Sequence, residues 1–425
     1  MQTRFSWQPR YVLLTALGLI LFCTSAAWSR TETVVWNFSN SNGDGANPLS
    51  NSLISDGKGN LFGATLSGGV PNCMGGCGMV FELSPNGSGG YNETILHDFT
   101  GTNGDGAGPP GGLVFDPQGN LYGVTVEGGA NGTGTVYELS PNSGGGWTET
   151  ILYSFDAAGS GDAALPQNGL IIDSAGNLYG TAGGGGINNG SCTGDCGTVF
   201  ELSPSGGGWT ETILHRFRGA GGHYNGDGAG PNSLSFDTLG NLYGSTLTGG
   251  NQRVNWGTVF RLKHTNTGWV ESVLYNFTGA DGFRPYGNVV VNKAGHIFGT
   301  CNEGGENNAG TVWELARSGN KFALQVIHNF SFSGGGVLPG GITMNKVGNI
   351  LGAATGTGSD GTATFYKLIK SGNTWSEKVV YTFSGGSDGG EPSLGPPLLD
   401  SSGNIFGLTV TGGTFGDGVA FELTP

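Results

Sequence analysis

One phrase is repeated seven times along this chain, and each copy reads as four short β-strands. The clearest copy starts at Leu113-Val114-Phe115-Asp116 and continues as Gly119-Asn120-Leu121-Tyr122-Gly123-Val124-Thr125. It goes on to Gly134-Thr135-Val136-Tyr137-Glu138-Leu139 and ends as Trp147-Thr148-Glu149-Thr150-Ile151-Leu152-Tyr153-Ser154-Phe155. The second strand opens at Leu61, Leu121, Leu178, Leu242, Ile297, Ile350 and Ile405, at intervals of 60, 57, 64, 55, 53 and 55 residues. A unit of that size must bury its faces against its neighbours, and four strands per unit predict propeller blades.

The two ends of the chain complete this reading. The seventh copy stops at Gly418-Val419-Ala420-Phe421-Glu422-Leu423-Thr424-Pro425 and lacks a fourth strand. A matching segment, Thr31-Glu32-Thr33-Val34-Val35-Trp36-Asn37-Phe38, aligns residue for residue with Thr148 to Phe155. Pairing it with the last copy would cover an otherwise open sheet edge. The expected fold is all-β: a seven-bladed β-propeller of four-stranded blades, closed by an N-terminal strand completing the last blade. The 87 Gly and 17 Pro residues would suit a disordered chain. Here Gly recurs at fixed places in each copy, where tight connections need φ > 0, so residues 30–425 are read as one domain.

Residues 1–29 read as a signal peptide. Arg4 and Arg10 form a basic start, Tyr11 to Phe22 is an apolar run of 12 residues, and cuts are offered after Ala27 or Ser29. The run is shorter than the ~20 residues that span a bilayer. Lipidation at Cys23 is disfavoured by bulky Phe22 before it. The mature protein is expected to be secreted or periplasmic. In that setting Cys73-x-x-x-Cys77 and Cys192-x-x-x-Cys196 suggest two local disulfides, with free thiols and metal binding as alternatives. Cys301, inside a second strand, is expected to be buried and free.

The formal charge of −14 comes with no basic stripe, which argues against nucleic acid and anionic membrane surfaces as partners. A monomer is expected, with no cofactor and no metal.

The recurring polar residues are weighed position by position. Asp56, Asp116, Asp173, Asp237 and Asp400 end the first strand, and Asn292 and Asn345 replace them elsewhere. Asp and Asn interchange where a side-chain oxygen caps a turn, so this position is read as structural. Glu82, Glu138, Glu201, Glu314 and Glu422 recur on the third strand, but Arg261 and Lys367 take that place in two copies. A position that accepts both signs suits a rim or a cross-strand pair better than catalysis. His97, His215 and His328 fill the slot held elsewhere by Trp36, Tyr153, Tyr275 and Tyr381, and read as packing rings on separate blades. The connections between blades carry Asp-Gly before Pro, at Asp44, Asp105, Asp227, Asp281 and Asp388. Those five aspartates are the candidate ligand-binding residues, for a cation or a sugar at the mouth of the central channel; turn formation is the plainer account of them. No G-x-S-x-G or H-E-x-x-H phrase is present, and no catalytic residue is assigned.

The sequence Gly197-Thr198-Val199-Phe200-Glu201-Leu202, with the Trp209-Thr210-Glu211-Thr212 strand, Phe217 and an Asp-Gly connection after it, resembles the GloVer-type bacterial tandem repeat. The resemblance extends over nearly everything from Thr31 to Pro425. It implies an exported bacterial protein of propeller-like repeats without assigned catalytic residues. Two functions are compatible with these observations. One is a non-catalytic binding or interaction scaffold for a glycan, peptide or protein partner outside the cytoplasm. The alternative is an extracellular carbohydrate-active hydrolase or lyase with its site at the channel mouth.

Overall fold

In the computed structural model, residues 30–425 are described except 42, 50–51, 157–159, 187–191, 193–194, 220–225, 251–254, 320, 333–336 and 357–362. The expected signal peptide, residues 1–29, lies outside the described residues. The described residues form strands and turns, without a helix, and the strands make seven antiparallel blades around a ring. Blade 1 runs from the axis outward as Ile54–Ser55, Leu61–Thr65, Met79–Pro85 and Tyr91–Asp98. Blade 2 repeats it with Val114–Phe115, Leu121–Thr125, Thr135–Pro141 and Trp147–Ser154. In blades 3 and 4 the innermost strand is split in two. Ala163–Pro166 and Ile171–Ile172 both pair with Leu178–Gly185, and Ala229–Pro231 and Ser235–Phe236 both pair with Leu242–Thr248. Those blades therefore have five strands where four are expected, because the connection after each outer strand joins the sheet. In blades 1 and 2 the same connection makes a separate ribbon, Gly45–Ala46 with Ser67–Gly68 and Gly106–Ala107 with Glu127–Gly128.

The ring closes as the sequence leads one to expect. Thr31–Asn37 is the outer strand of blade 7 and pairs with Val419–Thr424, from Thr31 opposite Thr424 to Asn37 opposite Val419. Arg30 adds two bonds, its Nη1 donating to the carbonyls of Gly403 and Leu423, both at 2.7 Å.

Packing between blades depends on a glycine that alternation cannot replace. In the middle of each second strand a Gly lies opposite a third-strand aromatic ring, as in Gly123 opposite Tyr137 and Gly180 opposite Phe200. A Cβ on Gly180 would lie 2.4 Å from the Phe200 ring, so no other residue leaves room for it. The same ring reaches the preceding blade. There it meets the Phe that ends that blade's outer strand, Phe99 against Tyr137 at 5.0 Å and Phe155 against Phe200 at 5.2 Å. Phe38 against Phe81 and Phe383 against Phe421 continue the pattern through blade 7. Such edge-to-face pairs add roughly 0.5–1.5 kcal/mol each beyond area burial.

Around the axis, the innermost segments of several neighbouring blades are bonded to one another. Asn168 Nδ2 donates to the Pro231 carbonyl, Asn232 Nδ2 to that of Pro285, Asn288 Nδ2 to that of Ile342, and the Leu394 amide to the Leu49 carbonyl. The last of these bonds joins blade 7 to blade 1.

Both local disulfides form, Cys73–Cys77 and Cys192–Cys196, and Cys301 is free and buried.

Candidate functional site

Every outer strand carries a β-bulge at the same place, for example between Val136 and Tyr137 of the facing register in blade 2. A bulge re-aims the side chains that follow it. On the N-terminal side of it the strand alternates in the ordinary way, so Trp147, Glu149 and Ile151 are half-buried while Thr148 and Thr150 are exposed. Glu149 therefore faces the neighbouring blade. Glu32, Glu93, Glu211, Glu271 and Glu377 hold the same strand position, opposite Leu423, Leu83, Leu202, Leu262 and Leu368. In all six, Oε1 is buried and has no hydrogen-bond partner.

Five of these glutamates lie beside the aspartate of the preceding blade's connection, and the sixth, Glu377, faces His328 across a connection that has no aspartate. Between blades 1 and 2, His97 Nε2 lies 3.4 Å from Asp105 Oδ1 and 3.6 Å from Glu149 Oε1. Asp105 Oδ2 accepts from the amide and hydroxyl of Thr100 at 2.7 and 2.6 Å. Between blades 3 and 4, His215 Nε2 lies 3.1 Å from Asp227 Oδ2, and the Arg218 amide donates to Oδ1. Tyrosine does the same work elsewhere: Tyr153 donates to Asp162 at 3.2 Å, Tyr275 to Asp281, and Tyr381 to Asp388 at 3.0 Å. Asp44 accepts from the amide and hydroxyl of Ser39 and from the Gly45 amide.

The five aspartates singled out in the sequence are thus bonded within their own connections, and they serve five different gaps. The connections do pair with the loops between second and third strands, as expected, but the carboxylates turn back toward the outer strands. The turn aspartates behave as read. Asp116 Oδ1 accepts from the amides of Gln118 and Asn120, and Asn292 accepts from those of Ala294 and His296. The third-strand glutamates bond locally, Glu82 with Ser84 and Glu138 with Ser140, while Glu314 meets His296 at 2.6 Å.

Burial and paired negative charge decide the protonation of the gaps. Burial and the charge of Asp44 push Glu93 up to about 8; burial and Asp162 push Glu211 to about 8. Glu32, beside Asp388, and Glu271, beside Asp227, are pushed to about 7 in the same way. Glu149 also rises to about 7, through burial first, with His97 opposing and Asp105 adding to the rise. Burial alone would lower His97, but the hydrogen bond to Asp105 and the charge of Glu149 carry it above its ordinary value. His328 has no such aspartate, and burial lowers it to about 4.

Two cavities open beside these elements. One, of about 770 Å³, lies at the gap of His215, Asp227 and Glu271, with Trp269 and Arg218 in its wall. The other, of about 760 Å³, lies at the axis, where Leu49, Pro110, Gln167 and Tyr286 converge from the inner segments of blades 1, 2, 3 and 5. The Cys73–Cys77 loop borders it, with Met74 fully exposed at the rim.

Comparison with known proteins bears on this architecture. Among solved structures, the chain is similar to the extracellular domain of BT3049 from B. thetaiotaomicron, described as a hybrid two component system. Identity is 15%, the TM-score is 0.53, and the match covers 93% of this chain and 41% of that one. The extracellular domain of BT4673 from the same organism, described as a one component system, matches at 11% identity and TM-score 0.52, over 93% and 42% of the two chains. A Bacteroides uniformis protein described as a 6-phosphogluconolactonase matches at 12% identity and TM-score 0.50, over 78% and 87%. This chain thus spans well under half of the first two, and at such identities the likeness is one of fold. No curated protein matches the sequence. The model of the Gloeobacter/Verrucomicrobia repeat matches residues 18–193 and 186–344, and with the sevenfold phrase now seen as seven blades, the chain belongs to that repeat family.

Proposed function

We propose that this protein is an exported, non-catalytic propeller that acts as a binding scaffold and takes its ligand at the mouth of the ring. The observation that carries the reading is the axial cavity of about 760 Å³, a volume suited to a small ligand or the end of a chain. Its lining combines an aromatic ring and an amide, Tyr286 and Gln167, with the apolar surfaces of Leu49, Pro110 and Met74. A sugar ring or a short peptide would use both kinds of surface: an apolar face against Tyr286 and polar edges toward Gln167. Export is supported by the leader at residues 1–29 and by two disulfides, which persist outside the reducing cytoplasm. The two similar extracellular domains agree with such a location.

The test is calorimetric titration of a panel of soluble polysaccharides and peptides, with product analysis of every mixture. The expected result is saturable binding of one class without turnover, weakened at least ~tenfold by Tyr286→Ala while the melting temperature is kept. Binding indifferent to Tyr286→Ala and Gln167→Ala, or release of cleaved product, would sink the proposal.

A further inference from the structure

We propose that the gap between blades 1 and 2 is a divalent-metal site, with His97 Nε2, Asp105 Oδ1 and Glu149 Oε1 as ligands and zinc as the ion that fits it best. Among the described residues, this is the one place where three such donor atoms lie within 4.8 Å of one another. His97 Nε2 is 3.4 Å from the Asp105 oxygen and 3.6 Å from the Glu149 oxygen. Ligands that each bind a tetrahedral zinc at about 2 Å lie ~3.3 Å from one another, close to both of these distances. One nitrogen with two oxygens also suits zinc better than calcium or magnesium, which prefer all-oxygen shells.

The ligands are held in place by contacts that do not involve a metal. The His97 ring packs edge-on against Phe99 at 4.7 Å. Asp105 spends Oδ2 on Thr100, which leaves Oδ1 facing the gap. Glu149 Oε1 is buried and has no hydrogen-bond partner outside this cluster, so a cation or a proton shared with Asp105 has to meet it.

The other gaps show what the site requires. The blade 3–4 gap has His215, Asp227 and an unpartnered Glu271 oxygen, yet its three donors do not draw together as closely. The blade 5–6 gap has His328 and Glu377, 3.8 Å apart, but its connection carries no aspartate. The gaps after blades 2, 4 and 6 present Tyr153, Tyr275 and Tyr381 where a nitrogen is needed. Since His97, Asp105 and Glu149 come from one outer strand, a connection and the next outer strand, the ion would join two blades and leave a coordination position for water.

The repeat supplies its own control, because tyrosine already fills the His97 slot in three blades. Untagged mature protein, stripped with EDTA and dialysed, is titrated with ZnCl₂ by calorimetry and with CoCl₂ by d–d absorption. Expected are one saturable equivalent and a melting temperature that rises with zinc, by mass action. His97→Tyr should fold and lose that equivalent, Glu149→Gln should weaken it at least ~tenfold, and His215→Tyr should keep it. No saturable binding, retained binding in His97→Tyr, or loss in His215→Tyr would each overturn the assignment.

Discussion

The gap between blades 1 and 2 and the gap between blades 5 and 6 are built from the same parts, yet they shift the titration of their histidines in opposite directions. Both carry a histidine in the bulged outer strand, packed edge-on against a Phe, His97 on Phe99 at 4.7 Å and His328 on Phe330 at 4.6 Å. Both face a glutamate of the next blade, Glu149 and Glu377. The difference is one aspartate in the connection. Asp105 bonds His97 and favours its charged form; the connection after His328 reads Ser331-Phe332-Ser333-Gly334-Gly335-Gly336, and burial keeps His328 neutral down to about pH 4. A scaffold position thus sets where a ring lies, while a loop residue several positions away sets its protonation.

The comparison presumes a closed ring, and opening the ring should have the largest effect. Deleting Thr31 to Phe38 removes the outer strand of blade 7 and the Phe38–Phe81 contact. Severe destabilisation is expected, and a truncated protein that melts cooperatively at the unchanged temperature would refute closure. Next in size is Asp105→Ala, which strips the cap of the blade 1–2 connection and leaves the Thr100 amide without its acceptor. A loss of about 2 kcal/mol is expected in urea unfolding, with a smaller loss for Asp105→Asn.

A tyrosine exchange separates the two gaps directly. Tyr153, Tyr275 and Tyr381 each donate to an aspartate, so His97→Tyr finds an acceptor in Asp105 and should cost little. His328→Tyr buries a hydroxyl with no connection aspartate to receive it and should cost about 1–2 kcal/mol more. Equal costs would show that the connection aspartate does not distinguish the gaps.

The smallest expected effect is in pH dependence. Glu93 and Glu211 hold their protons to about pH 8 in the folded chain, against 4.5 for an ordinary glutamate. Their contribution to stability is therefore complete below about pH 4.5 and is lost as pH rises through about 8. The folded protein should be more stable at pH 5 than at pH 8.5, and Glu93→Gln with Glu211→Gln should narrow that difference by a few degrees in Tm. His328 works the other way, since its low folded value costs stability as pH falls from its ordinary value of 6.5 through about 4. The acid limb should therefore shift in His328→Tyr, while the alkaline limb should not.

Much of the ring could be read from sequence, because the period, the missing fourth strand at Pro425 and its counterpart at Thr31 are properties of aligned copies. The turn role of Asp116 and its equivalents was legible for the same reason, through its exchange with Asn292 and Asn345. The gaps were harder to see. Aligning copies stacks His97 on Tyr153 and Glu149 on Glu211, but the contact joins His97 of one copy to Glu149 of the next. One signal was present: alternation places Glu149 on the face of Trp147 and Ile151, where an acid repeated in six blades is out of keeping with a buried surface. The axial cavity left no trace at all. Gln167 and Tyr286 stand in inner segments that differ from copy to copy, so no repeat marks them.

The pairing of Thr31–Asn37 with Val419–Thr424 also has a consequence in time. Arg30 and Leu423 bond across 393 residues of chain, the longest separation that the fold must bridge. A ribosome delivers Arg30 long before Leu423. Until then the opening strand has no sheet to join, and blade 1 has no neighbour on that side. Bringing such remote partners together is entropically slow. The ring therefore stays an open array of blades until Leu423 has been made, and this lock is the last part of the fold to engage.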